Sequence, residues 1–416
     1  MVSPWDTVEL GHFAEIYRGG SPRPIQAYLT SRMDGVNWIK IGDVAPNTKY
    51  ITDAEEKIVP AGASLSRKVY KGDFLLSNSM SFGRPYILNI DGCIHDGWLT
   101  IQNYQANFDS DYLYYMLGSE VTLQQYRTMA AGSSVQNLNK EKVSKLIIPK
   151  PSLFEQKAIA RVLSNMDEYI AALEKLITKK QNMKKGVMQE LLTGRRRLPG
   201  FNREWHHVYL KDISEVIKGS GLSKAKISQN GKHQCILYGE LFTKYDVMIR
   251  SVFSRTDHEE GIKSISGDVL IPGSTTTTGI DLARASSLPY DGVLLGGDIN
   301  IIRPDKTKIN SLFLAYYLSH IAREEIARLS KGVTVYHIHG KDLQELPLFI
   351  PESVKDQGEI ANVLNRIDLE IESLHLKLNK LQNVKLGMMQ ELLTGRIRLV
   401  EENELAGTPE AIPVIE

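Results

Sequence analysis

Little in this sequence is suited to holding a metal, a cofactor or a membrane. Cysteine is almost missing: Cys93 and Cys235 are the only two in 416 residues. They fall in different halves of the chain, which excludes a cysteine-rich metal site and suits a reducing, cytoplasmic setting. No apolar run approaches the ~18 residues of a membrane span. The start, Met1-Val-Ser-Pro-Trp5-Asp6, has no signal-peptide apolar core. The expectation is a cytoplasmic chain without membrane contact. Net charge is also missing: 50 Lys and Arg face 49 Asp and Glu, leaving +1. Affinity for nucleic acid would have to come from local patches or from partner subunits.

Catalytic motifs are absent too. A P-loop needs G-x-x-x-x-G-K-[ST], and Gly231-Lys232 and Gly340-Lys341 lack both the earlier glycine and the following hydroxyl. The Asn-Pro-Pro-aromatic tetrapeptide of amino-methyltransferases does not occur, nor does a strand–G-x-G turn for S-adenosylmethionine. Asp43 with Glu55-Glu56-Lys57 has the residue types of a metal-dependent nuclease, but Pro46 and Asn47 do not supply the strand context. His337-Ile-His339 has no Cys or acidic partner at ligand spacing and reads as a strand edge. The chain alone is expected to catalyse nothing.

What is present occurs twice. Met188-Gln-Glu-Leu-Leu-Thr-Gly-Arg195 recurs letter for letter as Met389-Gln-Glu-Leu-Leu-Thr-Gly-Arg396. Upstream, Gln156, Ile159, Asp167, Asn182, Lys184 and Gly186 match Gln357, Ile360, Asp368, Asn383, Lys385 and Gly387. A period near 200 residues is far longer than the roughly 20–50 of solenoids and marks a duplicated domain-plus-helix unit. The first copy has heptad core positions at Ile159, Leu163, Met166, Ile170, Leu173, Ile177, Lys180, Lys184, Val187 and Leu191. The second has Ile360, Leu364, Ile367, Ile371, Leu374, Leu378, Leu381, Lys385, Met388 and Leu392. Steps of three and four sustained this long predict a coiled-coil seam. A helix from Phe154 to Leu192 is roughly 57 Å long, and its nearest partner of equal length is the other copy. Gly194 and Gly395 stand where left-handed C-caps belong. Lys180, Lys184 and Lys385 interrupt the seam, and the favoured expectation is that the helices flare there and leave the ammonium groups in water.

Each helix follows a globular stretch, and these also match: Trp5-x-x-Val8-x-Leu10 with Trp205-x-x-Val208-x-Leu210, Gly72-Asp-Phe-Leu-Leu76 with Gly267-Asp-Val-Leu-Ile271, and Gly132-x-x-Val135 with Gly332-x-x-Val335. Runs such as Trp38-Ile-Lys-Ile41, Phe74-Leu-Leu76 and Val293-Leu-Leu295 read as strands. Asp111–Met129 and Ser311–Leu329 have helical spacing. The boundaries drawn are globular stretches 1–151 and 199–351, long helices 152–198 and 352–400, and a fraying acidic tail 401–416. The framework repeats and the loops do not. Ser77-Asn-Ser-Met-Ser-Phe-Gly83 stands opposite Pro272-Gly-Ser-Thr-Thr-Thr-Thr-Gly279. One scaffold with two loop sets points to two different ligands on related surfaces.

The loop side chains suit bases and phosphates, since Arg pairs with guanine edges, Asn or Gln with adenine edges, and Ser, Thr and Lys hold phosphates. The candidates are Arg18, Arg23, Asn78, Ser79, Arg84, Gln136 and Asn137 in the first half. In the second they are Lys218, Lys224, Lys226, Ser274, Thr275, Thr276, Thr334, Tyr336 and His337.

The order of globular stretch and long helix, twice over, each helix ending in Gln-Glu-Leu-Leu-Thr-Gly-Arg, resembles the specificity (S) subunit of type I restriction–modification enzymes. The approach at Ile148–Gln156 with Ile159-Ala-x-Val-Leu163 is similar to that family's helix entry. The second copy has lost one proline and carries Asp356 for Glu. The resemblance implies an α+β fold: two mixed α/β target recognition domains separated by two long helices in an antiparallel coiled coil, with an internal pseudo-twofold repeat. It also implies a non-catalytic subunit that reads a bipartite, asymmetric site on double-stranded DNA in defence against foreign DNA. Two modification subunits would dock on the helices and restriction subunits would join them. S-adenosylmethionine, ATP and Mg would serve those partners, with no cofactor in this chain. The other class of reading is a coiled-coil scaffold or partner-binding protein without DNA recognition.

Overall fold

The computed structural model describes residues 5–44, 48–78, 83–130, 138–201 and 203–399. The tail 401–416 therefore lies outside the described residues. The chain divides into two compact units: Met1–Glu174 with Lys377–Glu416, and Lys175–Leu376. Each unit thus takes its helical part from both repeats.

The globular parts share one strand order, to which the first unit adds an edge strand in each sheet. In the first unit, strands 15–18, 98–102, 74–77, 85–88 and 50–51 lie side by side in that order. A second sheet runs 29–30, 56–58, 36–39, 92–94, 67–69. In the second unit the corresponding orders are 214–218, 299–304, 268–272, 286–288 and 254–256, 233–236, 294–295, 262–263. The repeat-matched pairing of Cys93 with Trp38 and of Cys235 with Leu294 is parallel in both, amid mostly antiparallel neighbours. A ribbon of first and last strands closes each domain, Thr7–Glu9 on Ile147–Pro149 and Trp205–Tyr209 on Pro347–Pro351.

The expected helices 111–129 and 311–329 are each broken in two. Helix α1 (Ser110–Leu117) stops at Gly118, and a second helix starts at Glu120. The break has a local cause: the Ser119 hydroxyl donates to the Met116 carbonyl while accepting from the Thr122 amide, which ends one helix and caps the next.

The long helices are α2 (Leu153–Leu191) and, in the second repeat, α4 (Val354–Leu393). The label α3 is given to Ser311–His320, the counterpart of α1. Every heptad position named above is buried or half-buried. Both helices end in the left-handed glycines expected, Gly194 at φ 70° and Gly395 at φ 71°. The paired leucines of the repeated octapeptide enter the domain cores. Leu191 and Leu192 pack with Leu210, Phe313 and Leu364 in the second unit. Leu392 and Leu393 pack with Leu10, Tyr112 and Leu163 in the first.

The seam lysines are not left in water, which corrects the expectation above. Lys184 pairs with Asp368, Lys180 with Glu370 at 2.6 Å, and Lys385 with Asp167 at 2.5 Å. Partner numbers fall as lysine numbers rise within the second unit, as an antiparallel pair requires. In the first unit the sense is the same, since Glu155 meets Arg398 and Asp167 meets Lys385. The seam stays closed because each ammonium meets a carboxylate of the facing helix.

The repeated glutamines join each long helix to its domain. The Gln156 amide donates to the carbonyls of Pro151 and Asn107, and its oxygen accepts from the Asp109 amide at 2.8 Å, just ahead of α1. Gln357 does the same with Pro351, Lys308 and Asn310, ahead of α3. Both are fully buried. Replacing Gln357 by Leu leaves three backbone groups without this partner, removing a buried bond with Pro351 and half-buried ones with Lys308 and Asn310. The expected cost is about 2–4 kcal/mol, read as a lower denaturation midpoint at unchanged m-value. A midpoint equal to the parent's would contradict this role.

Candidate nucleic-acid interface

The loops that follow strands 15–18 and 214–218 are held by the same backbone frame in both units. Arg18 and Lys218 are the last residues of their strands, and each is followed by a glycine. A Cβ at Gly19 would lie 2.1 Å from the His95 carbonyl oxygen, and one at Gly219 would lie 2.1 Å from that of Gly296. Only glycine permits this approach. Nearby, the Asn78 amide donates to the Gly97 carbonyl and the Leu138 amide to the Asn78 carbonyl. In the second unit Gly273 and Asp298, then Ile338 and Gly273, repeat the two bonds.

On this frame the first unit builds a cluster around Asp96, a residue the sequence did not single out. The Arg18 Nε and the Asn78 amide both donate to the Asp96 carbonyl oxygen, at 3.2 and 3.0 Å. The Asp96 carboxylate accepts from the Ser21 hydroxyl, lies 2.9 Å from His95 Nε2 and faces the exposed Arg23 guanidinium at 3.6 Å. Burial pushes this carboxyl up. The Ser21 hydrogen bond, then His95 and Arg23, outweigh burial and hold it below the usual carboxylate range. Asn78 is only 2% exposed, so its amide shapes the loop rather than facing solvent. Arg84 lies over the Tyr86 ring at 5.6 Å. Ser79, Gln136 and Asn137 lie outside the described residues.

The second unit brings more of its candidates together. Strand Ser274–Thr275 pairs with Tyr336–His337, Ser274 opposite His337 and Thr275 opposite Tyr336. Lys331 and His337 exchange two backbone hydrogen bonds, so residues 332–336 form a turn that presents Thr334 and the almost fully exposed Val333 to solvent. Asp298 stands at the base: its carboxylate lies 3.5 Å from Lys218 Nζ and accepts from the Ser274 hydroxyl, and its own backbone is left-handed at φ 60°. Ser274 and Thr275 are themselves buried. Thr276 is exposed in the adjoining loop, where Asp281 accepts from the Thr277 and Thr278 hydroxyls. Those two hydroxyl bonds lower the Asp281 pKa. Lys224 and Lys226 form a separate group on the turn Lys224–Lys226, where Lys226 contacts the Gly221 carbonyl and His258.

The nuclease-like residues of the first unit gather on a lysine. Lys40 Nζ lies 3.1 Å from Glu56, 3.7 Å from Asp43 and 3.9 Å from Glu55. His337 is in the strand edge expected of it. Among the described residues no helix is long and apolar enough to cross a membrane.

The family model described as "Type I restriction modification DNA specificity domain" matches twice, over residues 2–183 and 202–383. The chain belongs to this family. Chains of this family supply sequence specificity, while methyl transfer and cleavage reside in other subunits. This specificity subunit is 23% identical over 418 residues to the type I restriction enzyme MjaVIII specificity subunit of Methanocaldococcus jannaschii. The match covers 96% of this chain and 94% of that one. The fold is similar to a solved chain described under complex assembly and conformational transition of the type I restriction–modification system. That match has TM-score 0.62 and 18% identity, over 95% of this chain and all of the other. It is also similar to the type I S subunit of M. genitalium, with TM-score 0.57 and 15% identity, over 94% and 96% of the two chains.

In each loop cluster a central carboxylate faces a basic side chain, Asp96 facing Arg23 and Asp298 facing Lys218. Asp298→Asn keeps the left-handed backbone, which Asn tolerates, and releases Lys218. Discrimination between specific and scrambled DNA should fall by roughly tenfold, about the worth of one oriented base contact, with no change in melting temperature. Competition binding on the complex with its modification subunits measures it, and undiminished discrimination would remove Asp298 from the interface.

Proposed function

We propose that this specificity subunit reads a bipartite, asymmetric site on double-stranded DNA, one part per unit, and carries two modification subunits, with restriction subunits joining the same assembly. The supporting observation is that one backbone frame carries two unlike sets of side chains, some exposed and some buried as loop supports. Arg18, Arg23 and Asn78 surround Asp96 in one unit. Lys218, Ser274, Thr275, Tyr336 and His337 surround Asp298 and its ladder in the other. Identical loops would read a palindrome, and unlike loops on like frames read two different sequences. Ser79, Arg84, Gln136, Asn137, Lys224, Lys226, Thr276 and Thr334 remain proposed contacts. The methyl donor S-adenosylmethionine, and ATP with Mg for cleavage, belong to the partner subunits in this reading, and the assembly works in the cytoplasm.

The number of modification subunits rests on an exposed helix face. Asn182, Gly186, Gln189 and Thr193 follow steps of four, three and four, and so share one face. Asn383, Gly387, Gln390 and Thr394 repeat them letter for letter. Exposed neighbours off this face, Met183 and Lys185, become Val384 and Leu386. Nothing lies within 4 Å of a Cβ built at either glycine. A mid-helix glycine costs about 1 kcal/mol against alanine, and nothing in this chain's own packing requires it. The same partner approaching each face closely accounts for it. Gly387→Lys should therefore raise the melting temperature slightly and yet lose one modification subunit, as should Gly186→Lys. Native mass spectrometry counts the subunits, and full assembly of both variants would overturn this docking face.

The two-part reading is tested with residues 1–198 alone. The main contacts that the second repeat's helix and its end make in the first unit have repeat-mates within that fragment: Lys184 for Lys385, Leu191 and Leu192 for Leu392 and Leu393, Arg197 for Arg398. Two copies can pair isologously. With modification subunits, the dimer should methylate a palindrome built from one part of the parent site. A monomer at micromolar concentration, or retention of the parent's asymmetric site, contradicts the proposal.

A further inference from the structure

A repeated three-residue contact links each recognition domain to both long helices. In the first unit the Tyr115 hydroxyl, on α1, donates to Asp167 Oδ2 of α2 at 2.7 Å, and Lys385 of α4 meets the other oxygen of the same carboxylate. Lys385 also lies over the Tyr115 ring at 5.6 Å. In the second unit Tyr316 of α3 donates to Asp368 of α4 at 2.6 Å, Lys184 of α2 pairs with that carboxylate, and Lys184 lies 5.8 Å from the centre of the Tyr316 ring. Domain, own helix and facing helix thus meet at one carboxylate in each unit. Burial above all keeps both phenols protonated and able to donate.

We propose that Tyr115 and Tyr316 are positioning residues that couple the orientation of each recognition domain to the register of the helix pair, and so fix the gap at which the two parts of the DNA site are read. The inference rests on the two-part reading above. Three features separate this contact from ordinary packing. It is the same in both units although the loops around it differ. It takes one residue from each of three elements, so neither helix can slide past the other without breaking it. In the second unit it borders a cleft of about 940 Å³, lined by Lys184, Asp368, His320, Arg250 and Glu372 among others. The domain there reaches the helices across the cleft through discrete polar bridges, this one and that of Arg250 to Asn365 and Glu372. Apolar packing holds the domain to the helix ends, and the directional bonds across the cleft set its angle there.

The test uses the full chain assembled with its modification subunits and a DNA pool in which both parts of the site are fixed and the spacer length is random. Tyr316→Phe deletes one hydroxyl and leaves the ring. The expected result is the parent's site sequences with a broadened gap, the preference for the parent gap over one base pair longer falling about tenfold, the usual worth of a hydrogen bond to a charged group. Tyr115→Phe should do the same, and Lys184→Met is a second route to loosening the same contact without touching the tyrosine. A gap preference as sharp as the parent's in all three variants overturns the proposal. So does a uniform loss of binding at every spacer with the preference intact, which would mark the contact as structural only. A parent chain with no preferred gap would instead overturn the two-part reading itself, and the coupling with it.

Discussion

Leu392 and Leu393 are the last residues of the second long helix, yet they are buried among residues of the first repeat's domain. Leu191 and Leu192 are buried in turn among those of the second. The globular domains need them: at each exchange one repeat's helix end completes the other's core. Burying a leucine side chain is worth about 1.5–3 kcal/mol, and the exchange extends along the seam, where no heptad position is exposed. Other features follow from it. The left-handed glycines must stop the helices where the leucines enter. The glutamines at the helix starts must be bonded to the domain caps, and charges in the seam must find partners on the facing helix.

Much of this was legible because duplication turns one sequence into two readings of the same structure. The heptads gave the seam, the terminal glycines gave the caps, and paired short motifs gave matching domains with one sheet order. What failed was treatment of each helix by itself. Lys184 and Lys385 look misplaced in a seam until the facing helix supplies Asp368 and Asp167, some 180 to 220 residues away in sequence. The helix breaks at 118–119 and 321–322 were hidden because the apolar spacing runs on through them while a serine hydroxyl, in the first case, ends the backbone ladder.

The loop clusters were legible in part. Searching for side chains that suit bases finds Lys218, Ser274, Tyr336 and His337, which the fold does gather. It misses Asp96 and Asp298, because an acidic residue is not sought at an interface expected to meet phosphates. It overstates Asn78, whose amide is engaged by the Asp96 backbone. The missed signal was geometric: Asp96 and Asp298 follow closely the carbonyls of His95 and Gly296 that Gly19 and Gly219 approach, which sets each beside the basic residue that ends the strand.

The Arg398 guanidinium forks onto Glu155, which also accepts from Trp5. The very start of the first domain is therefore secured by nearly the last described residue of the chain. During synthesis the first domain emerges long before that arginine. At about 5–20 residues per second, the roughly 200 residues between the end of α2 and the end of α4 take on the order of 10–40 s. Throughout that interval the nascent first domain carries an open leucine socket and a buried-type glutamate without its cation. The first half thus emerges shaped but unsealed, and synthesis of the Leu392–Arg398 stretch is what shuts it.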